Sequence, residues 1–217
     1  QRNKIIQLIS LIGSKKFTVI EGGHSCGKKE ILVNICWGFR YTPNKDIIKI
    51  KLGPHIDYRD LIGSYTVGDS NQFEWKSGIL SSAMIKGSVL ILEGWDQVSS
   101  ELAQFLMGLF DNKSISLPNG RFLTIHDRFR ILCTFNTERK QNNFAKLVTE
   151  HRFFHICMPH LSSDDMDLII SNKFSHLNCI KSVLIKIFEV ARCIFPCPLI
   201  DFFKCCKYLC ADSENKI

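Results

Sequence analysis

Apolar positions along the chain change period several times. From Asn3 to Ile12 they recur at helical spacing, and from Phe17 to Glu21 they run together at strand length. A glycine-containing loop follows, then a second helical stretch from Lys28 to Gly38. Asp46 to Lys51 (DIIKIK) reads as the next strand and Tyr58 to Ile62 as a short helical turn. Beyond it the pattern predicts a glycine-rich irregular stretch through Ser64, Gly68 and Phe73, then a helix from Gly78 to Lys86. Ser88 to Glu93 (SVLILE) is an unbroken apolar run of strand length, the kind covered on both faces of a sheet.

Ser99 to Phe110 reads as an amphipathic helix, with Ser99 as its N-cap and Leu102, Leu106 and Phe110 along one face. Ser114 to Leu117 and Phe122 to Ile125 flank Pro118-Asn119-Gly120. This predicts a β-hairpin in which Asn-Gly supplies the positive φ angles of a tight turn. Strands are expected at Arg130 to Phe135 and Phe153 to Met158. From Leu161 onward only helical patterns remain, around Asp164 to Ile170, Ile180 to Cys193 and Leu199 to Leu209. Strands alternating with helices predict an α/β domain with a mostly parallel sheet over residues 1–160, and the shift near Pro159 predicts a small all-helical unit over 161–217.

Composition adds constraints to this outline. A length of 217 residues allows one substantial core and a small satellite, and a helical pattern already under way at Gln1 reads as a module cut from a longer chain. The formal charge of +7 is spread thinly, with small clusters at Lys15-Lys16, Lys28-Lys29 and Arg139-Lys140. That describes a solvated surface favouring anions rather than a sequence-specific nucleic-acid face. The ten cysteines lie mainly in apolar runs such as Ile35-Cys36-Trp37 and Ile131-Leu132-Cys133, so buried thiols are expected. The cluster Cys193, Cys197, Cys205, Cys206, Cys210 has no CxxC pair, and the seven histidines show no paired spacing of the HExxH kind, which argues against zinc. No apolar run reaches the length a bilayer span requires.

The chemistry concentrates at Gly22-Gly23-His24-Ser25-Cys26-Gly27-Lys28-Lys29, which fits G-x-x-x-x-G-K directly after a strand and at the start of a helix. Glycines let backbone N–H groups wrap phosphates, the lysine reaches the β- and γ-phosphates, and a final Ser or Thr holds Mg²⁺. Here Lys29 stands in that last place and cannot ligate a cation. A phosphate loop of this kind works with carboxylates at the end of a neighbouring buried strand, one for the metal and one for the attacking water. Glu93 is the candidate for the metal side and a weak Mg²⁺ ligand without its hydroxyl partner. Gly94 occupies the place of the water-activating carboxylate, and Asp96 is either a cap or loop residue or a displaced base.

Asn136 closes the strand ILCTF, where a polar side chain either reaches between phosphate and water or opens a turn. Arg152 opens the strand RFFHIC and is either an arginine finger for a neighbouring site or a surface salt-bridge residue.

In this order, the phosphate loop, buried acidic strand, inserted hairpin, strand-end Asn136, Arg152 and helical lid resemble the AAA+ ATPases over nearly the whole chain. Within them the chain is similar to the midasin family, most of all to its first ring module. The phrases that carry this are Val19-Ile20-Glu21-Gly22, Leu61-Ile62-Gly63-Ser64-Tyr65 with Phe73-Glu74-Trp75 and Gly78, LILEGWD, and Leu117-Pro118-Asn119-Gly120-Arg121. The resemblance implies a P-loop NTPase fold, a three-layer parallel-sheet core with inserted β-hairpins and a helical lid, binding ATP or ADP. It also implies a pseudo-hexameric ring of neighbouring AAA+ modules, pre-60S ribosomal particles and their assembly factors as partners, and a nucleolar and nucleoplasmic address. The family's lid phrase carries an arginine where this chain has Ile200, before Asp201.

Lys29, Gly94 and Ile200 together remove the metal hydroxyl, the water activator and the lid arginine. The expectation is therefore weak, Mg²⁺-independent nucleotide binding, because Lys29 places positive charge where the cation would bind, and little or no hydrolysis. Two other readings stay open: an active ATPase of a dynein-like or MoxR-like branch, and a nucleotide-free interaction scaffold.

Overall fold

A computed structural model of the chain describes residues 2–14, 17–24, 26–53, 55–68, 71–111, 114–138, 154–194 and 199–214. By internal contacts it divides into two compact units. One holds residues 1–22 and 27–158, the other residues 23–26 and 159–217.

The first unit is built on a five-stranded parallel sheet. Its strands are β1 (Phe17–Gly22), β2 (Ile47–Lys51), β5 (Val89–Glu93), β8 (Arg130–Asn136) and β9 (Phe154–Met158), in the spatial order β2-β5-β8-β1-β9. The central strands read as continuous apolar runs because both their faces are covered: Val89 to Leu92 and Ile131 to Cys133 are fully buried. Helices α1 (Arg2–Ser14), α2 (Lys28–Gly38), α3 (Tyr58–Ile62), α4 (Ile79–Lys86) and α5 (Ser100–Asp111) complete the alternation. The Ser99 hydroxyl accepts from the Leu102 amide at 3.2 Å, the expected cap of α5, and Leu102 and Leu106 are buried; the Phe110 side chain lies outside the described residues. Asp57 opens α3 with a capping box: its carboxylate accepts from Arg59 N at 3.1 Å, while its own amide donates to Asp60 at 3.3 Å.

Two antiparallel hairpins leave the sheet. The hairpin of β6 (Ser114–Ser116) and β7 (Phe122–Thr124) falls where the Pro-Asn-Gly turn was expected, with one difference. Only Gly120 takes a positive φ (78°); Asn119 contributes through its side chain, whose oxygen accepts from Arg121 N at 3.0 Å. The second hairpin, β3 (Gly63–Val67) with β4 (Phe73–Ser77), replaces the predicted irregular stretch. Its register pairs Tyr65 with Trp75 and Val67 with Phe73 on one face. Most of its residues are exposed, so no buried alternation announced it. The two glycines of the LIGSY and FEW phrases sit at its stem. A Cβ on Gly63 would lie 2.4 Å from Lys76 O, and one on Gly78 would lie 2.2 Å from Leu61 O. The stem therefore closes only with glycine at both places.

The second unit carries α6 (Ser163–Lys173), α7 (Lys181–Ile194) and α8 (Leu199–Glu214). Met166, Ile170, Leu177, Ile185, Phe188, Phe202 and Cys206 form its core. Ser162 caps α6 with a second capping box, its side chain accepting from Asp165 N. Helix α7 also exposes Val183, Ile187, Val190 and Ile194, spaced three and four apart along a single stripe.

The cysteines depart in part from expectation. Cys26, Cys36, Cys133 and Cys206 are buried, whereas Cys157, Cys179 and Cys205 are exposed. Burial pushes the Cys36 thiol up to about 12 and raises that of Cys133 as well, so both stay protonated at neutral pH. Among the described residues no group of His, Cys, Asp and Glu could hold a metal ion, and no helix is long and apolar enough to cross a membrane.

Candidate functional site

Parallel strands running the same way bring their carboxyl ends to one edge of the sheet, the usual place for a ligand in an open α/β fold. Here that edge gathers Gly22 of β1, Glu93 of β5 and Asn136 of β8. Gly22 lies opposite Asn136 in the β1–β8 register, and Glu93 lies opposite Thr134 in the β5–β8 register. Residues separated by more than a hundred positions in sequence become neighbours through sheet order alone.

Lys28 and Lys29 enter from the first turn of α2. Gly27, the N-cap, precedes the helix in a left-handed conformation, φ 83°, and as a glycine has no side chain to act as a cap. A helix N-terminus opened by glycine is an arrangement that can receive an anion. The Lys28 ammonium donates to Gly22 O at 2.9 Å, and Thr137 N donates to the same carbonyl at 3.3 Å. Lys28 is thereby held beside the ends of β1 and β8. In the intervening loop Gly23 and Cys26 are buried and His24 is exposed; Ser25 lies outside the described residues.

The carboxylate side differs from a metal site. The Lys29 ammonium lies 2.7 Å from Glu93 Oε1, with the lysine side chain 50 % exposed and the glutamate 26 %. The candidate metal ligand is therefore engaged by the cation that replaces the expected hydroxyl residue. A Mg²⁺ ion needs near-octahedral oxygen ligation at about 2.0–2.1 Å, and Lys29 and Glu93 together do not fit it. Beyond Glu93 the backbone turns at Gly94 with φ 84°, and Gly94 N donates to Thr134 O at 3.2 Å.

Asp96 does not face outward as a base would. It lies in a single 3-10 turn, Trp95–Gln97, is 1 % exposed, and accepts the Asn136 amide at 3.1 Å on Oδ1. It thus ties the exit of β5 to the end of β8, which fits the cap-or-loop reading. Asn136, also buried, uses its side-chain oxygen to accept Glu138 N at 3.1 Å, so it opens the turn after β8. Sequence reasoning could place Asp96 and Asn136 at strand ends but not the bond between them. Arg152 and the Ile200 side chain lie outside the described residues.

A parallel sheet with a glycine loop, a lysine at a helix start and an acidic strand end beside it defines a P-loop ATPase fold of the AAA+ class. The family model described as AAA domain (dynein-related subfamily) matches residues 18–153, and the chain belongs to that family. Its sequence is similar to Midasin of Dictyostelium discoideum, 26% identical over 184 residues that cover 82% of this chain and 3% of that protein. It is likewise similar to Midasin of Giardia intestinalis, 27% identical over 165 residues, 73% of this chain and 3% of the relative. The chain thus spans about 3% of the length of these curated relatives, and the resemblance to the midasin family holds. Among solved structures, a candidate ATPase from Cytophaga hutchinsonii superposes with a TM-score of 0.60 at 17% identity, covering 82% of this chain and 52% of that one. At that identity the likeness concerns the fold. Family and fold imply nucleotide binding in general.

Proposed function

We propose that this chain is a degenerate AAA+ module that holds ATP or ADP weakly, with little or no hydrolysis of its own. In this reading it fills a structural or regulatory position, most like the first, in the pseudo-hexameric ring of a midasin-like ATPase. The observation that carries the proposal is the Lys29–Glu93 ion pair at 2.7 Å. It commits the carboxylate that would serve the metal, while Gly94 next to it offers none for the attacking water. Lys28 keeps its place at the helix start, so phosphate recognition persists where turnover does not. Asp96, buried on the Asn136 amide, supports a structural role over that of a displaced base.

The setting follows the midasin resemblance: neighbouring AAA+ modules of the same chain, pre-60S particles with their assembly factors, and a nuclear location. The exposed apolar stripe on α7 supports a neighbouring module against the helical unit, because apolar surface of that kind is usually covered. Arg152 is proposed as a residue directed at such a neighbour's nucleotide.

Equilibrium titration with labelled ATP and ADP, beside a steady-state hydrolysis assay, tests the proposal. Binding without turnover above background is expected. Turnover at ordinary AAA+ rates, abolished by Lys28→Ala, would refute it in favour of an active ATPase. No binding at millimolar nucleotide would leave the scaffold reading.

A further inference from the structure

Building on the reading that this module holds nucleotide without hydrolysing it, we propose that Lys29 is the resident cation of the site. The module then selects metal-free nucleoside di- and triphosphates and discriminates against their Mg²⁺ complexes. Loss of metal becomes a ligand preference rather than a simple defect.

Three features converge on this. First, Glu93 is a fixed anchor. It ends a strand buried between β2 and β8, opposite Lys51 and Thr134, and its carbonyl accepts Leu52 N at 2.7 Å. The carboxylate therefore positions the Lys29 ammonium from a rigid element. Second, an ammonium has three N–H donors. The ion pair uses one, and at 50 % exposure the side chain can turn the others toward an arriving phosphate. Lys28 and Lys29 are adjacent in the first turn of α2, so two positive charges flank the helix start that favours an anion.

Third, a divalent ion has no comfortable place beside them. Bound to Glu93 Oε1 at about 2.1 Å, it would lie within about 5 Å of the Lys29 ammonium. The ammonium is covalently tethered and cannot diffuse away as a counter-ion can. Asp96 is buried on the Asn136 amide, and Gly94 offers no oxygen from a side chain. A Mg²⁺–nucleotide complex therefore brings a second cation to a charge already neutralised, with one carboxylate to receive it. The metal-free polyphosphate brings negative charge that the Lys28 ammonium and the N–H donors of Lys29 not used by Glu93 can meet.

The test is equilibrium titration of the purified chain with fluorescently labelled ADP at constant ionic strength, once in excess EDTA and once in excess Mg²⁺. About tenfold tighter binding in EDTA is expected, a difference well within reach of one unfavourable charge contact. Lys29→Thr, which restores the hydroxyl and releases Glu93, should reverse the order so that Mg²⁺ strengthens binding. Lys29→Met keeps most of the length of the side chain and removes its charge; it should weaken metal-free binding by about tenfold without acquiring a Mg²⁺ requirement.

Equal or tighter wild-type binding in Mg²⁺ would overturn the inference, as would unchanged metal-free affinity in Lys29→Met. The outcomes also separate this claim from the one it rests on. Binding that is indifferent to Mg²⁺ and accompanied by no hydrolysis removes only the role of Lys29. No binding in either condition, or Mg²⁺-dependent turnover, removes both.

Discussion

The two sides of the candidate site are built differently. On the phosphate side, Gly27 keeps its left-handed turn, α2 begins without a side-chain cap, and Lys28 is held on Gly22 O. On the acidic side, Glu93 is paired with Lys29, Gly94 carries no side chain, and Asp96 faces inward onto a backbone amide. Gripping a phosphate asks mainly for backbone N–H groups and one cation, which the fold supplies almost for nothing once β1 and α2 exist. Turnover asks in addition for side chains held in a closely defined geometry, which the backbone alone does not supply. Phosphate contact and carboxylate placement thus rest on different elements, the first on β1 and α2, the second on β5.

The largest expected effect breaks the phosphate side. Lys28→Ala should weaken binding of labelled ADP by about a hundredfold, and a loss of less than threefold would mean that the two sides do not differ as described. Next, Asp96→Ala removes a buried acceptor from the Asn136 amide. It should cost about 1–3 kcal/mol in urea unfolding, the range for leaving a buried hydrogen-bonding group without its partner. A cost near zero would show that Asp96 is not what joins β5 to β8.

A smaller effect is expected from Gly94→Glu, which places a carboxylate at a position with φ 84°. Stability should fall by about 1–2 kcal/mol, because a side chain in the left-handed region is strained, and ATPase activity should stay at background. Restored turnover would instead show that the acidic side is one residue from function. The smallest effect sharpens the contrast: Lys29→Ala should change unfolding free energy by no more than about 0.5 kcal/mol, since half-exposed ion pairs contribute little to folding. A loss of several kcal/mol would assign the pair to the fold rather than to the ligand.

The strands of the central sheet were legible because burial on both faces leaves a continuous apolar run, as in SVLILE, and helix starts were legible wherever Ser or Gly stands before an apolar period. The motif residues could be listed for the same reason: Gly22 to Lys29 follow a strand and open a helix. The β3–β4 hairpin was not legible, since residues such as Tyr65, Val67 and Phe73 stay exposed and leave no polar face for contrast. Nor could the chain reveal that Lys29 meets Glu93, sixty-four positions away. That contact depends on β5 and β1 lying either side of β8, which no local pattern encodes. The same applies to Asp96, where a polar residue after a strand reads as cap, loop or base until its partner is known.

Gly94 has a consequence for how such a module could change over time. A Cβ there would have room, its nearest contact being Leu52 O at 3.5 Å, so crowding is no barrier. The obstacle is the backbone, turned to φ 84° and held by the Gly94 amide on Thr134 O. A single substitution that introduced a carboxylate would therefore arrive in a strained conformation, and the β5 exit would have to be rebuilt to relieve it. The position therefore behaves as a latch set by the main chain: placing a carboxylate there takes a change of backbone as well as of side chain.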